Sequence, residues 1–147
     1  MALTGTYSRT IDEKHRLAVP KRLRGQFAVA GEEATSLYVA PETEHSLGLY
    51  SLEAFEKLAE RFAEGSTNRA EVQNFLRLFY ARAERVDMGG QGRIRIPERL
   101  MKYAQLEHDV MLLGVHDHAE IWDRSTWEQF LEKHTADFDE MARKAFG

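Results

Sequence analysis

Arg16-Leu17-Ala18-Val19-Pro20-Lys21-Arg22-Leu23 returns 77 positions later as Arg93-Ile94-Arg95-Ile96-Pro97-Glu98-Arg99-Leu100. Each copy reads as an arginine, alternating apolar residues, a proline and a short amphipathic run. A second pair of landmarks, Leu49-Tyr50-Ser51-Leu52-Glu53-Ala54-Phe55 and Ile121-Trp122-Asp123-Arg124-Ser125-Thr126-Trp127, recurs at an offset of 72. The second copy is therefore five residues shorter between these landmarks. A repeat of this kind governs the whole fold, because each copy must adopt the same supersecondary unit.

Period-2 alternation on both sides of a polar turn predicts paired strands, so each unit reads as a hairpin followed by a helix. In the first unit, Thr6 to Ile11 is expected to pair with Arg16 to Val19. Proline ends strand pairing and suits the first turn of a helix, so Pro20 and Pro97 each begin a short one. A second strand pair follows: Ser36 to Ala40 with Leu47 to Tyr50, and Asp109 to Val115 with Ala119 to Trp122. Longer helices come next. Ser51 is the expected N-cap of one carrying Leu52, Phe55, Leu58, Ala59 and Phe62, with Gly65 as its stop. Another, from Arg69 to about Arg82 with Val72, Phe75, Leu76, Phe79 and Tyr80, bridges the copies. In the second unit Ser125-Thr126-Trp127-Glu128 has the spacing of a capping box, and Trp127, Phe130, Leu131, His134 and Phe138 continue the apolar stripe. These stripes read as core or subunit contacts, and surplus apolar surface on the first two helices implies a homo-oligomer.

The 147 residues, 43% of them apolar, suffice for one compact domain or two small halves sharing a core. Cysteine is absent, which excludes disulfides, thiolate metal ligands and a thiol nucleophile. Met1 to Tyr7 lacks the basic start and apolar run of a signal peptide, and no stretch reaches membrane-spanning length, so a cytoplasmic protein without a membrane partner is expected. A net charge of −4 argues against a phosphate-bearing partner until its distribution is considered. Between Arg9 and Arg24 the basic residues Arg9, Lys14, Arg16, Lys21, Arg22 and Arg24 face only Asp12 and Glu13. The acidic surplus lies in Glu32-Glu33, along Glu53 to Glu64, and in the tail.

Catalytic patterns do not emerge. No serine, histidine and carboxylate form a nucleophile arrangement, and no phosphate-cradling loop opens a helix with a lysine at its start. His116-Asp117-His118 with Glu120 is the one cluster resembling a metal site, but histidines two apart on a tight turn do not converge on an ion, and a polar hairpin loop is the simpler reading. No cofactor, metal or enzymatic activity is expected; a small metal-dependent enzyme built on this turn is the least favoured reading.

Asp12-Glu13-Lys14-His15-Arg16-Leu17-Ala18-Val19-Pro20 and Gly89-Gly90-Gln91-Gly92-Arg93-Ile94-Arg95-Ile96-Pro97, followed by Glu120-Ile121-Trp122, resemble the MraZ family, whose AbrB-like halves are marked by an Asp-x-x-x-Arg hairpin and an apolar-proline step. The resemblance runs from Tyr7 to Trp127. His15 stands where that family usually has glycine, and Gly89 where the second aspartate is expected, with Asp87 two residues upstream. The resemblance implies an α+β fold of two tandem AbrB-like repeats of swapped-hairpin type, forming a pseudo-symmetric barrel-like core with flanking helices. Its units would be residues 1–68, a connecting helix 69–84, and residues 85–147.

It also implies a nucleoid-associated, sequence-specific regulator that binds double-stranded DNA at promoter repeats upstream of the cell-division and cell-wall gene cluster and assembles into a ring. The residues agree physically with such a role. A thin hairpin tip enters a groove, where arginine forks onto guanine, glutamine serves adenine and lysine holds phosphate. Arg9, Lys14, His15, Arg16, Gln91 and Arg93 are the expected DNA-contacting residues, and Asp12, Gly89 and Gly92 are expected to shape the hairpins. Asp12 suits a structural acceptor better than a DNA contact. For Arg16, contact with DNA and pairing with Asp12 both remain open. Arg22, Arg24 and Arg99 are read as solvated or intersubunit charges. The alternative from another class is a ring-forming interaction scaffold without direct DNA readout.

Overall fold

The computed structural model describes residues 2–28, 35–64 and 69–147. The Glu32-Glu33 pair and the helix stop at Gly65 lie outside the described residues. Among the described residues, eight strands and six α-helices follow the repeat. The strands are β1 (Thr6–Thr10), β2 (Arg16–Ala18), β3 (Ser36–Glu42), β4 (Ser46–Tyr50), β5 (Glu84–Asp87), β6 (Arg93–Arg95), β7 (Asp109–Val115) and β8 (His118–Asp123). The helices are α1 (Lys21–Arg24), α2 (Leu52–Glu64), α3 (Arg69–Arg82), α4 (Glu98–Tyr103), α5 (Arg124–His134) and α6 (Phe138–Phe146). The protein is thus α+β. No helix among the described residues is long and apolar enough to cross a membrane.

Six strands form one antiparallel sheet in the order β1-β7-β8-β4-β3-β5, and β2 and β6 form a separate two-stranded ribbon. The order reads the same from both edges once each strand is matched with its repeat, so a pseudo-two-fold axis passes between β8 and β4. The strand pairs β3–β4 and β7–β8 are those the alternation predicts.

The expected pairing of Thr6–Ile11 with Arg16–Val19 is not formed. Instead β1 pairs with β7 of the other repeat, Thr6 opposite Leu113 and Thr10 opposite Asp109. β2 pairs with β6, Arg16 opposite Arg95 and Ala18 opposite Arg93. β5 likewise pairs with β3 rather than with β6. Alternation identifies a strand and its buried face but carries no information on its partner. Here the edge of β7 lets β1 place Tyr7 and Ile11 against the shared core.

Side-chain alternation gives the sheet two different faces. On one, Leu37, Val39, Leu47, Leu49, Val110, Leu112 and Ile121 meet Leu17 and Ile94 from the ribbon and Leu23 and Leu100 from the short helices, all buried. Each such leucine or isoleucine contributes about 1.5–3 kcal/mol on burial. On the other face, Tyr38, Ala40 and Tyr50 lie under Phe55 and Leu58 of α2 and Phe79 of α3. Further along the same face, Trp122 packs against Trp127 and Phe130 of α5.

Helix ends follow local chemistry. Pro20 and Pro97 sit at the N-caps of α1 and α4 with ψ of 141° in both, leaving the first helical turn to the residues after them. Ser51 Oγ accepts the Ala54 amide hydrogen at 3.0 Å, as its position before α2 predicts. The Ser125–Glu128 capping box does not form: Asp123 is the cap, its carboxylate accepting from the Ser125 amide at 3.2 Å, so α5 starts earlier. Glu128 is instead drawn to Arg124 one turn back, at 3.2 Å. Phe138 does not continue the α5 stripe either. A 3-10 turn, Thr135–Asp137, separates the helices, and Phe138 begins α6 with 66% of its surface exposed.

Candidate nucleic-acid interface

The ribbon has an inner and an outer face. Leu17 and Ile94, a cross-strand pair, are buried, so their neighbours Arg16, Ala18, Arg93 and Arg95 must face away from the core. Three arginines are thereby gathered on a surface only two strands wide. Arg95 was not among the residues the sequence singled out, although the Arg93-Ile94-Arg95 alternation already puts it on the face of Arg93.

Because β2 and β6 run antiparallel, the turns that lead into them lie at opposite ends of the ribbon. The two tips share one backbone scheme, related by the repeat. Asp12 N donates to Arg16 O at 3.0 Å and Gly89 N to Arg93 O at 2.8 Å. His15 N donates to Asp12 O at 3.0 Å and Gly92 N to Gly89 O at 3.1 Å. The ribbon is then closed by Ile96 N donating to His15 O at 2.8 Å and Val19 N to Gly92 O at 2.9 Å. His15 and Gly92 occupy the same left-handed position, with φ of 62° and 71°. A histidine tolerates that conformation less readily than glycine.

Side chains distinguish the tips. At the first, Asp12 Oδ1 accepts the amide hydrogens of Lys14 and Arg16, each at 2.9 Å, and Oδ2 accepts from Arg16 Nε at 2.8 Å. The Arg16 amide is the foremost of the influences that hold the Asp12 carboxyl below its usual pKa, with the Arg16 side chain and the Lys14 amide adding to it. Arg16 therefore pairs with Asp12 through Nε. At the second tip Gly89 supplies no such acceptor; its φ is −81°, and a Cβ there would meet nothing nearer than Arg93 O at 3.7 Å. Asp87 ends β5 opposite Ser36 and accepts no hydrogen bond from this tip. Gln91 adds a second left-handed residue, at φ 63°.

Arg24 is placed differently from the solvated or intersubunit charge its sequence position suggests. It is half-buried, donates from Nε to Val19 O at 3.0 Å, and lies so close over Gly92 that a Cβ there would meet its Cδ at 2.4 Å. Arg99 pairs with Glu84 at 3.3 Å. Arg9, on β1, donates from Nη1 to Ser8 O at 2.8 Å and lies 5.9 Å over the Tyr7 ring. Lys14, Arg93 and Arg95 are exposed, and no carboxylate among the described residues pairs with them. Their charge is available to an anion. A two-stranded ribbon with cations on its outer face has the width a DNA major groove admits.

Comparison with known proteins adds to this geometry. A family model described as "MraZ protein, putative antitoxin-like" matches the chain twice, over residues 2–78 and 79–147. The protein named transcriptional regulator MraZ from Limosilactobacillus fermentum is 33% identical over 94% of this chain and 92% of its own length. Its counterpart from Mycolicibacterium smegmatis is 35% identical over 91% of this chain and 90% of its own. One from Mycobacterium bovis is 34% identical over 97% and 96%. Two successive matches that together span residues 2–147, with relatives 33–35% identical over at least 90% of either chain, show that this protein belongs to the MraZ family.

Proposed function

We propose that the protein is a sequence-specific DNA-binding transcriptional regulator that reads the duplex with the outer face of the ribbon and its two tips. The observation that carries this reading is the outward set Arg16, Arg93 and Arg95 on a ribbon whose inner face is anchored by Leu17 and Ile94. Fixed on a rigid support, each guanidinium has the planar fork that matches a guanine edge or a phosphate. Lys14 at the first tip supplies phosphate contact, His15 and Gln91 line the approach at either end, and Arg9 extends the basic surface along β1. Asp12, Gly89 and Gly92 set the tip shapes. The name borne by the relatives, transcriptional regulator, supports the assignment.

In this proposal the targets are promoter repeats upstream of the cell-division and cell-wall gene cluster, and the protein is cytoplasmic and nucleoid-associated. It acts as a homo-oligomeric ring. Residues 1–68 and 85–147 are the repeat units joined by 69–84, and ribbon and sheet together make the barrel-like core.

The test is fluorescence anisotropy with a duplex taken from upstream of the protein's own gene and an unrelated duplex of equal length, at two salt concentrations. Preferential binding that weakens steeply with salt is expected, because each neutralised phosphate releases counterions. Equal binding to both duplexes would remove sequence-specific readout. No binding to either would leave the ring-forming scaffold as the standing alternative.

A further inference from the structure

On the helix-covered face of the sheet, between the aromatic cluster under α2 and the one under α5, there is a polar island that the DNA-reading surface does not use. Glu42 ends β3, and His118 and Glu120 stand on β8; one ligand atom of each lies within 4.8 Å of those of the other two. All three are partly buried. The sequence shows His118 and Glu120 beside His116, but His116 is exposed on the turn and takes no part. Glu42 comes from the other repeat, 76 positions away.

Each of the three is held by a different neighbour through one atom, leaving its second atom for the centre. Tyr50 O–H donates to Glu42 Oε1. Trp122 Nε1 donates to Glu120 Oε1 at 2.9 Å. Asp117 Oδ1 meets His118 Nδ1 at 2.7 Å, which turns Nε2 to within 3.1 Å of Glu120 Oε2. A carboxylate on the outer nitrogen of a histidine, with hydrogen bonds on the outer oxygens of carboxylates, is how metal ligands are oriented by the shell behind them.

The backbone makes room for this arrangement. Gly48 of β4 stands between Ala40 and Glu120 in register, and a Cβ on it would lie 2.6 Å from Tyr50 Cε2, 2.7 Å from Glu42 Oε1 and 2.9 Å from Glu42 Cγ. Only a bare position there lets the Glu42 side chain lie across β4 toward β8. The repeat partner of Gly48 is Glu120 itself, so the axis that relates the halves is broken at this point. Beside the island, a cavity of about 380 Å³ includes Glu42, Tyr50, Asp117 and His118 in its wall and gives access from solvent.

We propose that Glu42, His118 and Glu120 bind a divalent transition-metal ion of the zinc class, with water completing the coordination. One imidazole with two carboxylates favours such an ion over magnesium or calcium, which take oxygen alone. Charge points the same way: two carboxylates converge, and a dication neutralises both. Asp117 already has Arg61 at 2.8 Å. The ion ties the two repeats together across the central β4–β8 pair.

Isothermal titration of chelator-treated, full-length protein with zinc chloride tests this, with magnesium chloride as the control. Saturable binding of one zinc per chain, weak or absent for magnesium, is expected. His118→Ala and Glu42→Gln should abolish saturable binding. Gly48→Ala should impair it by displacing the Glu42 carboxylate. Asp117→Ala, a change on an exposed turn that spares the core, should weaken it about 10–100-fold. Circular dichroism and urea unfolding of each metal-free variant establish that it is folded, and Asp117→Ala decides the matter if the others are not. Absence of saturable zinc binding to the parent would overturn the site. So would parent-like binding by folded His118→Ala or by Asp117→Ala, which would place the metal elsewhere.

Discussion

Arg16 and Arg95 face each other across the ribbon as Cα partners, yet only Arg16 is tied to a carboxylate, its Nε lying 2.8 Å from Asp12 Oδ2. Removing the Arg16 side chain would leave the Asp12 carboxylate, still held by the two backbone amides, without its cationic partner at a tip proposed to face DNA. Arg16→Ala is therefore expected to weaken DNA binding more than Arg95→Ala does, and Asp12→Ala added to Arg16→Ala should recover part of the loss. A double-mutant cycle read by anisotropy at constant salt measures the coupling. Strict additivity would mean that the pair does not act together at the interface.

Lys14 and Arg93 should fail in different ways when removed. Lys14→Ala should weaken binding to all duplexes by a similar factor and flatten the salt dependence, because a phosphate contact carries no sequence information. Arg93→Ala should cost about 1–3 kcal/mol on the preferred site and less on unrelated DNA. Titrations of each variant on both duplexes at matched salt separate the two patterns.

The second tip has the backbone of the first without its acceptor, and Gly89 has space for a side chain. Gly89→Asp should raise the hydrogen-exchange protection of the Gln91 and Arg93 amides. Gly92→Ala should do the opposite. Its φ of 71° alone costs an alanine about 1–2 kcal/mol. Arg24 must also move to admit the methyl group, so the loss in a urea titration should be at least that large.

Acid should release the first tip late. Asp12 has a folded-state pKa below its usual value of 3.8, so its stabilisation is complete above that value and is lost only as pH falls through the lowered one. The Lys14 and Arg16 amides should accordingly keep their protection from pH 7 to about pH 5. Asp12→Asn, which retains an acceptor oxygen, should protect these amides better than Asp12→Ala across the same range. Equal exchange in both variants would show that the side-chain bonds do not order the turn.

Phe75 and Leu78 of α3 are 46% and 59% exposed on the described surface. Surfaces of that kind are covered in assemblies. Light scattering at micromolar concentration should show an oligomer, and Phe75→Glu with Leu78→Glu should shift it toward the 16.9 kDa monomer. A parent that is already monomeric would remove the ring.

Much of the architecture is legible in the chain because it is written twice. Matching arginines, prolines and aromatic landmarks place the helices after Pro20, Pro97 and Ser51, and α3 spans the stretch its apolar spacing marks. What the alternation does not carry is strand partnership: β1 and β2 each read correctly as strands, yet their hydrogen bonds go to β7 and β6. The tips were legible as candidate contacts for the same reason, since lysine and arginine at a turn stand out. Arg95 lies outside the repeated arginine and proline landmarks, although alternation puts it on the face of Arg93. The contact of Arg24 with Gly92 is not legible in the sequence, because only the folded chain brings the two together. Glu42 could not be found at all, since nothing in its local sequence points to β8.

The exchange of edge strands sets a clock for synthesis. Tyr7 has no partner until Leu112 has been made. At roughly 5–20 residues per second, that leaves β1 without its neighbour for roughly 5–20 seconds while β3, β4 and α2 are already available to fold. Slow closure of contacts so distant in sequence is expected to govern the folding rate. During that interval two nascent or newly released chains can each offer the other the edge it lacks, so intertwined dimers are the characteristic failure of this topology when it is expressed too quickly.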